Sequence, residues 1–167
     1  MQSETEIVVF DGATPHVDDR EIETLLQKVY VGEGFTDPEI AKTAFVAATV
    51  RGRGRVFAVR DSESAELIGM VILAAPSSRM WRVDDEREAE VHLLAVSQDH
   101  RESGVGRALI EAVVRAARAE RYVRLVLWTQ PTMHAAQRLY ERCGFVRCTQ
   151  RDWARNGRPF WVYELVL

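Results

Sequence analysis

At 167 residues, with 47% hydrophobic and 28% charged side chains, the chain has the composition of one globular domain able to bury a core, neither disordered nor membrane-embedded. Lysine and arginine number 22 against 25 acids, a net charge of −3, so no global basic field draws it to nucleic acid. Cys143 and Cys148 are too few for a disulfide scaffold, no secretory leader follows Met1, and the apolar run 67–76 is about half of a ~20-residue membrane span; a cytoplasmic protein without a membrane partner is expected.

Residues 7–10 read as a short first strand. Over 17–30, Ile22, Leu25, Leu26 and Val29 recur at helical spacing. Glycines in 31–36 break the pattern, and Asp37-Pro38-Glu39 opens a second helix running to about Val50, with Pro38 suited to its first turn. Residues 55–60 and 66–75 form a hairpin around the polar turn 61–64. An exposed loop, 77–87, leads to a strand over 88–96. After a glycine-containing turn, Leu109, Ile110, Val113, Val114 and Ala117 make the apolar face of a helix on which Glu111 and Arg115 are spaced to pair. Residues 122–129 read as a buried strand. Pro131 opens a helix ending at Cys143, with Gly144 in the left-handed cap position. Strands over 145–152 and 160–167 close the chain around the turn 155–158. The order is β-α-α-β-β-β-α-β-α-β-β. It predicts an α+β fold of α/β/α sandwich type, with a mixed central sheet of about seven strands and about four helices, in one domain spanning 1–167.

The turn between the fourth predicted strand and the third predicted helix carries the chemistry: Arg101-Glu102-Ser103-Gly104-Val105-Gly106-Arg107. Two glycines between a strand and a helix let the backbone approach another molecule, and several N–H groups converge where the helix dipole favours an anion. This is no P-loop, since neither Lys28 nor Lys42 follows such a loop, and Leu109 stands where a dinucleotide fingerprint needs its third glycine. The remaining pattern, [QR]-x-x-G-x-[GA], resembles the coenzyme A pyrophosphate loop of the GNAT superfamily of acetyltransferases. Ala136-Gln137-Arg138-Leu139-Tyr140-Glu141-Arg142-Cys143-Gly144-Phe145 resembles the same family's A-x-x-L-Y-x-x-x-G-F signature, one strand further on, and the element order matches the GNAT fold over nearly the whole chain.

The resemblance implies an acetyl-CoA-dependent N-acetyltransferase, EC class 2.3.1, that moves acetyl directly to a primary amine without a covalent enzyme intermediate and without a metal. It places the pantetheine arm against the main chain of Leu94, Ala95 and Val96, in a gap opened towards the strand 123–128. It sets the pyrophosphate on the amides of Glu102, Ser103, Gly104, Val105, Gly106 and Arg107, with Arg101 and Arg107 adding charge. Tyr140 is the implied general acid and Glu90 the candidate base, with Glu88 or His92 as alternatives, because strand alternation sets Glu88, Glu90, His92 and Leu94 on one face. Glu102, Ser103 and Met133 depart from residues frequent in the family, Met133 replacing an asparagine.

An acceptor pocket is expected between the first two helices, the 77–87 loop and the last hairpin, walled by Tyr30, Phe35, Trp81, Trp153 and Phe160, with Asp84-Asp85-Glu86 available to attract a cation. A small-molecule amine is the expected acceptor. Alternatives are a protein or peptide N-terminus or lysine, or a non-catalytic acyl-CoA sensor; the resemblance also allows a homodimer. The basic turn Arg51-Gly52-Arg53-Gly54-Arg55 lacks interleaved aromatics and reads as a helix-to-strand link rather than a nucleic-acid site.

Overall fold

A computed structural model describes residues 7–11, 17–74, 76, 82–83 and 85–167. In chain order the elements are β1 (Val9–Asp11), α1 (Asp19–Leu26), α2 (Pro38–Ala44), α3 (Ala47–Arg51), β2 (Gly54–Arg60), β3 (Leu67–Ala74) and β4 (Glu88–Val96). They continue with α4 (Val105–Ala119), β5 (Arg124–Thr129), α5 (His134–Arg142), β6 (Val146–Arg147), β7 (Trp153–Arg155) and β8 (Arg158–Val166). The sheet runs β1-β2-β3-β4-β5-β8-β6, with β7 hydrogen-bonded to β8 as a hairpin. Neighbours are antiparallel except β4 and β5, the parallel pair that α4 connects.

Both faces of the sheet are covered. On one, Val105, Leu109, Ile110 and Val113 of α4 and Tyr140 of α5 pack with Ala89, Val91, Leu125 and Leu127. On the other, Ile22, Leu25 and Leu26 of α1 and Phe45 pack with Val56, Ala58, Met70, Ile72 and Ala95. β3 is buried along its whole length because it is sandwiched between these layers. Gly69 lets α4 seat: a Cβ there would stand 2.7 Å from Val105 Cγ1 and 3.0 Å from Leu109 Cδ1.

The α+β expectation holds, and the described residues show eight strands and five α-helices rather than about seven and four. The second predicted helix is broken at Phe45 and Val46, because Glu23 of α1 reaches across and its Oε1 accepts the Ala47 N–H at 2.9 Å, starting α3 as a separate helix. The predicted strand 145–152 shrinks to two residues. Beyond it Asp152 pairs with Arg147 and accepts the Val162 amide at 3.0 Å, curling the chain over β8 before β7 begins. The helix expected from Pro131 starts at His134. Arg107, not Arg115, takes Glu111, at 2.8 Å. α1 keeps its capping box of Asp18 and Glu21 but ends in a π-helical turn, Gln27–Val31, which carries Tyr30.

Overpacking at the α4–β3 contact tests this account of the layer. Gly69→Ala should lower folding stability by about 1–3 kcal/mol in urea titration; unchanged stability would show that α4 does not rest on that glycine.

Candidate active site

The site begins with a bulge. Between Met70 and Ile72 of β3, β4 carries an extra residue: Met70 faces Ala95 and Ile72 faces His92. The bulge turns on Leu93, whose φ of 50° is rare for a bulky side chain. It has two results. β4 stays bonded to β5 only over Glu88, Ala89, Glu90 and Val91, while β5 runs on to Thr129 against β8, so the two strands part beyond Val91. The alternation also shifts by one. Glu88, Glu90 and His92 face the α1 side, but Leu94 and Val96 pack on the α4 side, so Leu94 does not share their face as strict alternation predicts. In the parted segment the Leu94 carbonyl accepts the Tyr30 hydroxyl at 2.9 Å.

The glycine turn follows at the end of this segment. Glu102 has φ 64° and Gly104 φ 91°, and Gly104 stands at the N-cap of α4 with no side-chain cap. The N–H groups of Glu102, Ser103, Gly104, Val105, Gly106 and Arg107 take no partner among the described residues; the next amide, Ala108, bonds to the Gly104 carbonyl. Six successive free donors at a helix N-terminus fit a pyrophosphate. A Cβ on Gly106 would stand 2.8 Å from Leu139 Cδ2 of α5, so this glycine also lets α5 approach the cradle. The Glu102 side chain is exposed, and the Ser103 hydroxyl donates to the His100 carbonyl at 2.5 Å. Arg101 pairs with Glu33 of the α1–α2 loop, and Arg107 with Glu111. Both pairs are partly or largely exposed and worth under about 1 kcal/mol, weak enough to be exchanged for a phosphate.

Three ionisable groups line β4 on the α1 side, and the structure separates them. Glu88 is held by two guanidiniums, Arg124 at 2.6 Å and Arg151 at 2.5 Å. Glu90 is fully buried; its Oε1 accepts the Arg82 amide and its Oε2 lies 2.7 Å from His92 Nε2. A carboxylate offers only acceptors, so Nε2 carries the hydrogen and Nδ1 keeps a lone pair. Nδ1 is buried and has no partner. Burial pushes the His92 pKa down against the opposing pull of Glu90, with Arg53 lowering it further. The ring lies 4.7 Å from Trp128, as the β4–β5 register requires of positions following Val91 and Leu127.

Beside Glu90 lies a cavity of about 110 Å³ lined by Arg82, Val83, Glu90, Val126, Trp128, Arg151, Trp153 and Val162. Trp153 is central to its wall. It stacks on Phe160 at 4.2 Å, meets Trp128 edge-on at 5.7 Å and lies under the Arg82 guanidinium at 3.8 Å. Phe35 contributes its carbonyl, which accepts Gln130 Nε2 at 2.6 Å and Arg158 Nη1 at 2.9 Å, strapping the α1–α2 loop to the end of β5 and to the last hairpin. Trp81 and Asp84 lie outside the described residues. Asp85 is no free cation site: Arg87 binds it through side chain and amide and holds its carboxyl down at about 2.

On the α4 side, Tyr140 is buried between Phe145 and Tyr163, with ring centroids 5.9 and 6.2 Å away. Its hydroxyl takes no partner among the described residues, and burial raises its pKa far above the ordinary phenol value, keeping it protonated. Gln137, in the same motif, donates to the Gln130 carbonyl at 2.9 Å and fixes the β5–α5 loop. Met133 turns its sulfur to the Thr129 hydroxyl, 3.3 Å away. The sequence singles out neither Arg82 nor Trp128, shows Gln137 only as part of the signature, and shows Arg53 only as part of a helix-to-strand link. Only Trp128 left a readable signal, since parallel pairing with β4 places it beside His92.

Residues 20–145 match the model of the acetyltransferase (GNAT) family. The chain belongs to that family. Human N-acetyltransferase 8 is 34% identical over 106 residues, 62% of this chain and 45% of that protein, so the chain spans about half the length of this curated relative. An acetyltransferase from Streptococcus agalactiae has the same fold, with TM-score 0.74 at 19% identity over 98% of this chain and 99% of that one. A GNAT family acetyltransferase from Elizabethkingia anophelis, solved with acetyl-CoA bound, matches with TM-score 0.66 at 16% identity over 98% of this chain and 99% of that one. Among the described residues no helix is long and apolar enough to cross a membrane, and no group of three or more His, Cys, Asp or Glu is placed to hold a metal.

His92 makes stability depend on pH with a definite sign. Unfolded, it titrates near ~6.5; folded, its pKa is lower. Below ~6.5 the unfolded chain therefore binds the proton first, and stability falls as pH drops towards the folded value. Urea midpoints at pH 7.5 and 5.5 should drop more for the native chain than for His92→Asn; equal drops would mean that the ring is not buried neutral.

Proposed function

We propose that this protein is an acetyl-CoA-dependent N-acetyltransferase that moves acetyl directly to the primary amine of a small molecule. One arrangement carries the reading: a row of unpaired amides follows a gap between β4 and β5, and a buried histidine with an unpartnered ring nitrogen stands where the two strands part. A binding-only sensor has no use for such a histidine, whose burial costs stability.

Bound acetyl-CoA would supply the activated acetyl group as a thioester. The amides of Glu102, Ser103, Gly104, Val105, Gly106 and Arg107 hold the pyrophosphate, with Arg101 and Arg107 exchanging Glu33 and Glu111 for it. The main chain of Leu94, Ala95 and Val96 takes the pantetheine arm in the gap, and an amide there polarises the thioester carbonyl. His92 Nδ1 takes the proton from the ammonium, freeing the lone pair that attacks. Glu90, the carboxylate that the sequence singles out as base, acts as the positioning group: it holds the His92 tautomer and stabilises the imidazolium, and is itself held by the Arg82 amide. Tyr140 gives its proton to the departing thiolate. Cys143 and Cys148 have no part.

The strap at Phe35 favours a small acceptor over a protein. Its bonds to Gln130 and Arg158 tie the α1–α2 loop to the end of β5 and the last hairpin, across the path a peptide between those parts would take.

Thiol release from acetyl-CoA with a panel of amines tests the reading. His92→Gln should lower kcat by about 100-fold or more, and Tyr140→Phe by about 10-fold or more, each with acetyl-CoA affinity in calorimetry within about twofold. Native-like turnover in both variants would remove them from the chemistry; absence of acetyl-CoA binding by the native chain would overturn the function.

A further inference from the structure

One buried cation near this site has no counter-charge. Arg53, between α3 and β2, is 7% exposed. Its Nη2 donates to the Ala44 carbonyl at a long 3.3 Å, its Nε has no partner, and no carboxylate pairs with it among the described residues. The arginines around it differ: Arg51 pairs with Asp19, Arg55 with Asp11 and Glu120, and Arg60 with Glu21.

Its place points to the acceptor. Gly54, the next residue, pairs with Ala74, and Ala74 pairs with Glu90, so Arg53 stands at the sheet end one residue beyond the row that holds Glu90, the carboxylate that orients His92. Its charge acts on the Tyr30 phenol and on His92, and it is repelled by Arg155 of the last hairpin. The nearby carboxylates are engaged elsewhere: Glu33 by Arg101, Glu88 by Arg124 and Arg151, and Glu90 by His92 and the Arg82 amide. Capping α2 through the Ala44 carbonyl uses one of five guanidinium donors and needs no charge.

We propose that Arg53 is the counter-ion for a carboxylate on the acceptor, which is therefore an amino acid or another amine that carries an acid group. The planar guanidinium matches a carboxylate in a two-point bond that a lysine would not reproduce. The acceptor then spans the floor of the site, with its amine at His92 Nδ1 and its carboxylate at Arg53. This assignment rests on the acetyltransferase reading above.

Amine pairs that differ only in the carboxylate test it: phenylalanine against phenethylamine and leucine against isopentylamine, scored by kcat/KM for thiol release. The native enzyme should prefer the carboxylated member of a pair by about 100-fold or more. Arg53→Gln should abolish that preference while leaving turnover of the plain amine within about threefold, and Arg53→Lys should restore only part of it. Thermal melting separates site from scaffold. Arg53→Gln should melt at or above the native temperature, because an uncompensated buried charge is gone; a lower melting temperature would make Arg53 a structural cap and overturn the proposal. Equal turnover of both members of each pair, or plain amines alone, would overturn the carboxylate while keeping the acetyltransferase. No turnover of any amine by a chain that binds acetyl-CoA would overturn both.

Discussion

The bulge at Leu93 is the constraint on which the rest of the site depends. An extra residue in β4 cannot be absorbed by regular pairing, so the strand leaves β5 after Val91 while keeping β3 through Ala95 and Val96. A left-handed leucine costs on the order of 1 kcal/mol or more. The structure offsets this on both sides: Ala95 is buried against the α1 layer, and the Leu94 carbonyl takes the Tyr30 hydroxyl. The same irregularity sends Leu94 and Val96 to the α4 layer and delivers the chain to the unpaired amides at the start of α4. Strand parting and the shifted side-chain alternation are thus consequences of one inserted residue.

Charge around β4 is distributed unequally, and the inequality separates structure from chemistry. Glu88, with two guanidinium partners, has its oxygens satisfied and acts as a strut between β5 and the segment after β6. Glu90 is satisfied by an amide and a ring N–H, so its negative charge is spent on orienting His92. Four buried side-chain atoms among the described residues lack a partner: His92 Nδ1, an acceptor, and the donors Arg53 Nε, Arg124 Nε and Trp153 Nε1; of these, Arg53 alone belongs to a guanidinium with no carboxylate beside it. Natural proteins seldom keep such atoms without a use. An ammonium and a carboxylate on one molecule would satisfy His92 and Arg53.

Much of this was legible in the sequence wherever a local rule applied. Apolar spacing marks α1 and α4, and the two glycines between strand and helix mark the turn of unpartnered amides at the start of α4, because backbone conformation is a local property. The two helices after 37, the shrunken strand after Phe145 and the pairing of Arg101 with Glu33 were not legible, since each depends on a side chain from a distant element: Glu23, Asp152 and Glu33 respectively. Alternation on β4 was readable up to His92 and failed at the next residue, because no residue type announces a bulge at Leu93. Arg53 hid in a run of arginines whose other members serve the surface; only the fold shows which of them is buried without a partner.

The central claim is that the free amides of the α4 turn and the parted end of β4 form one continuous surface for acetyl-CoA. Titration of ¹⁵N-labelled protein with acetyl-CoA, followed through backbone amide shifts, addresses it directly. The account predicts that the largest changes fall on Glu102 to Arg107 and on Leu93 to Val96, saturating together with a single affinity. Saturable binding that leaves either group of amides unmoved would contradict it.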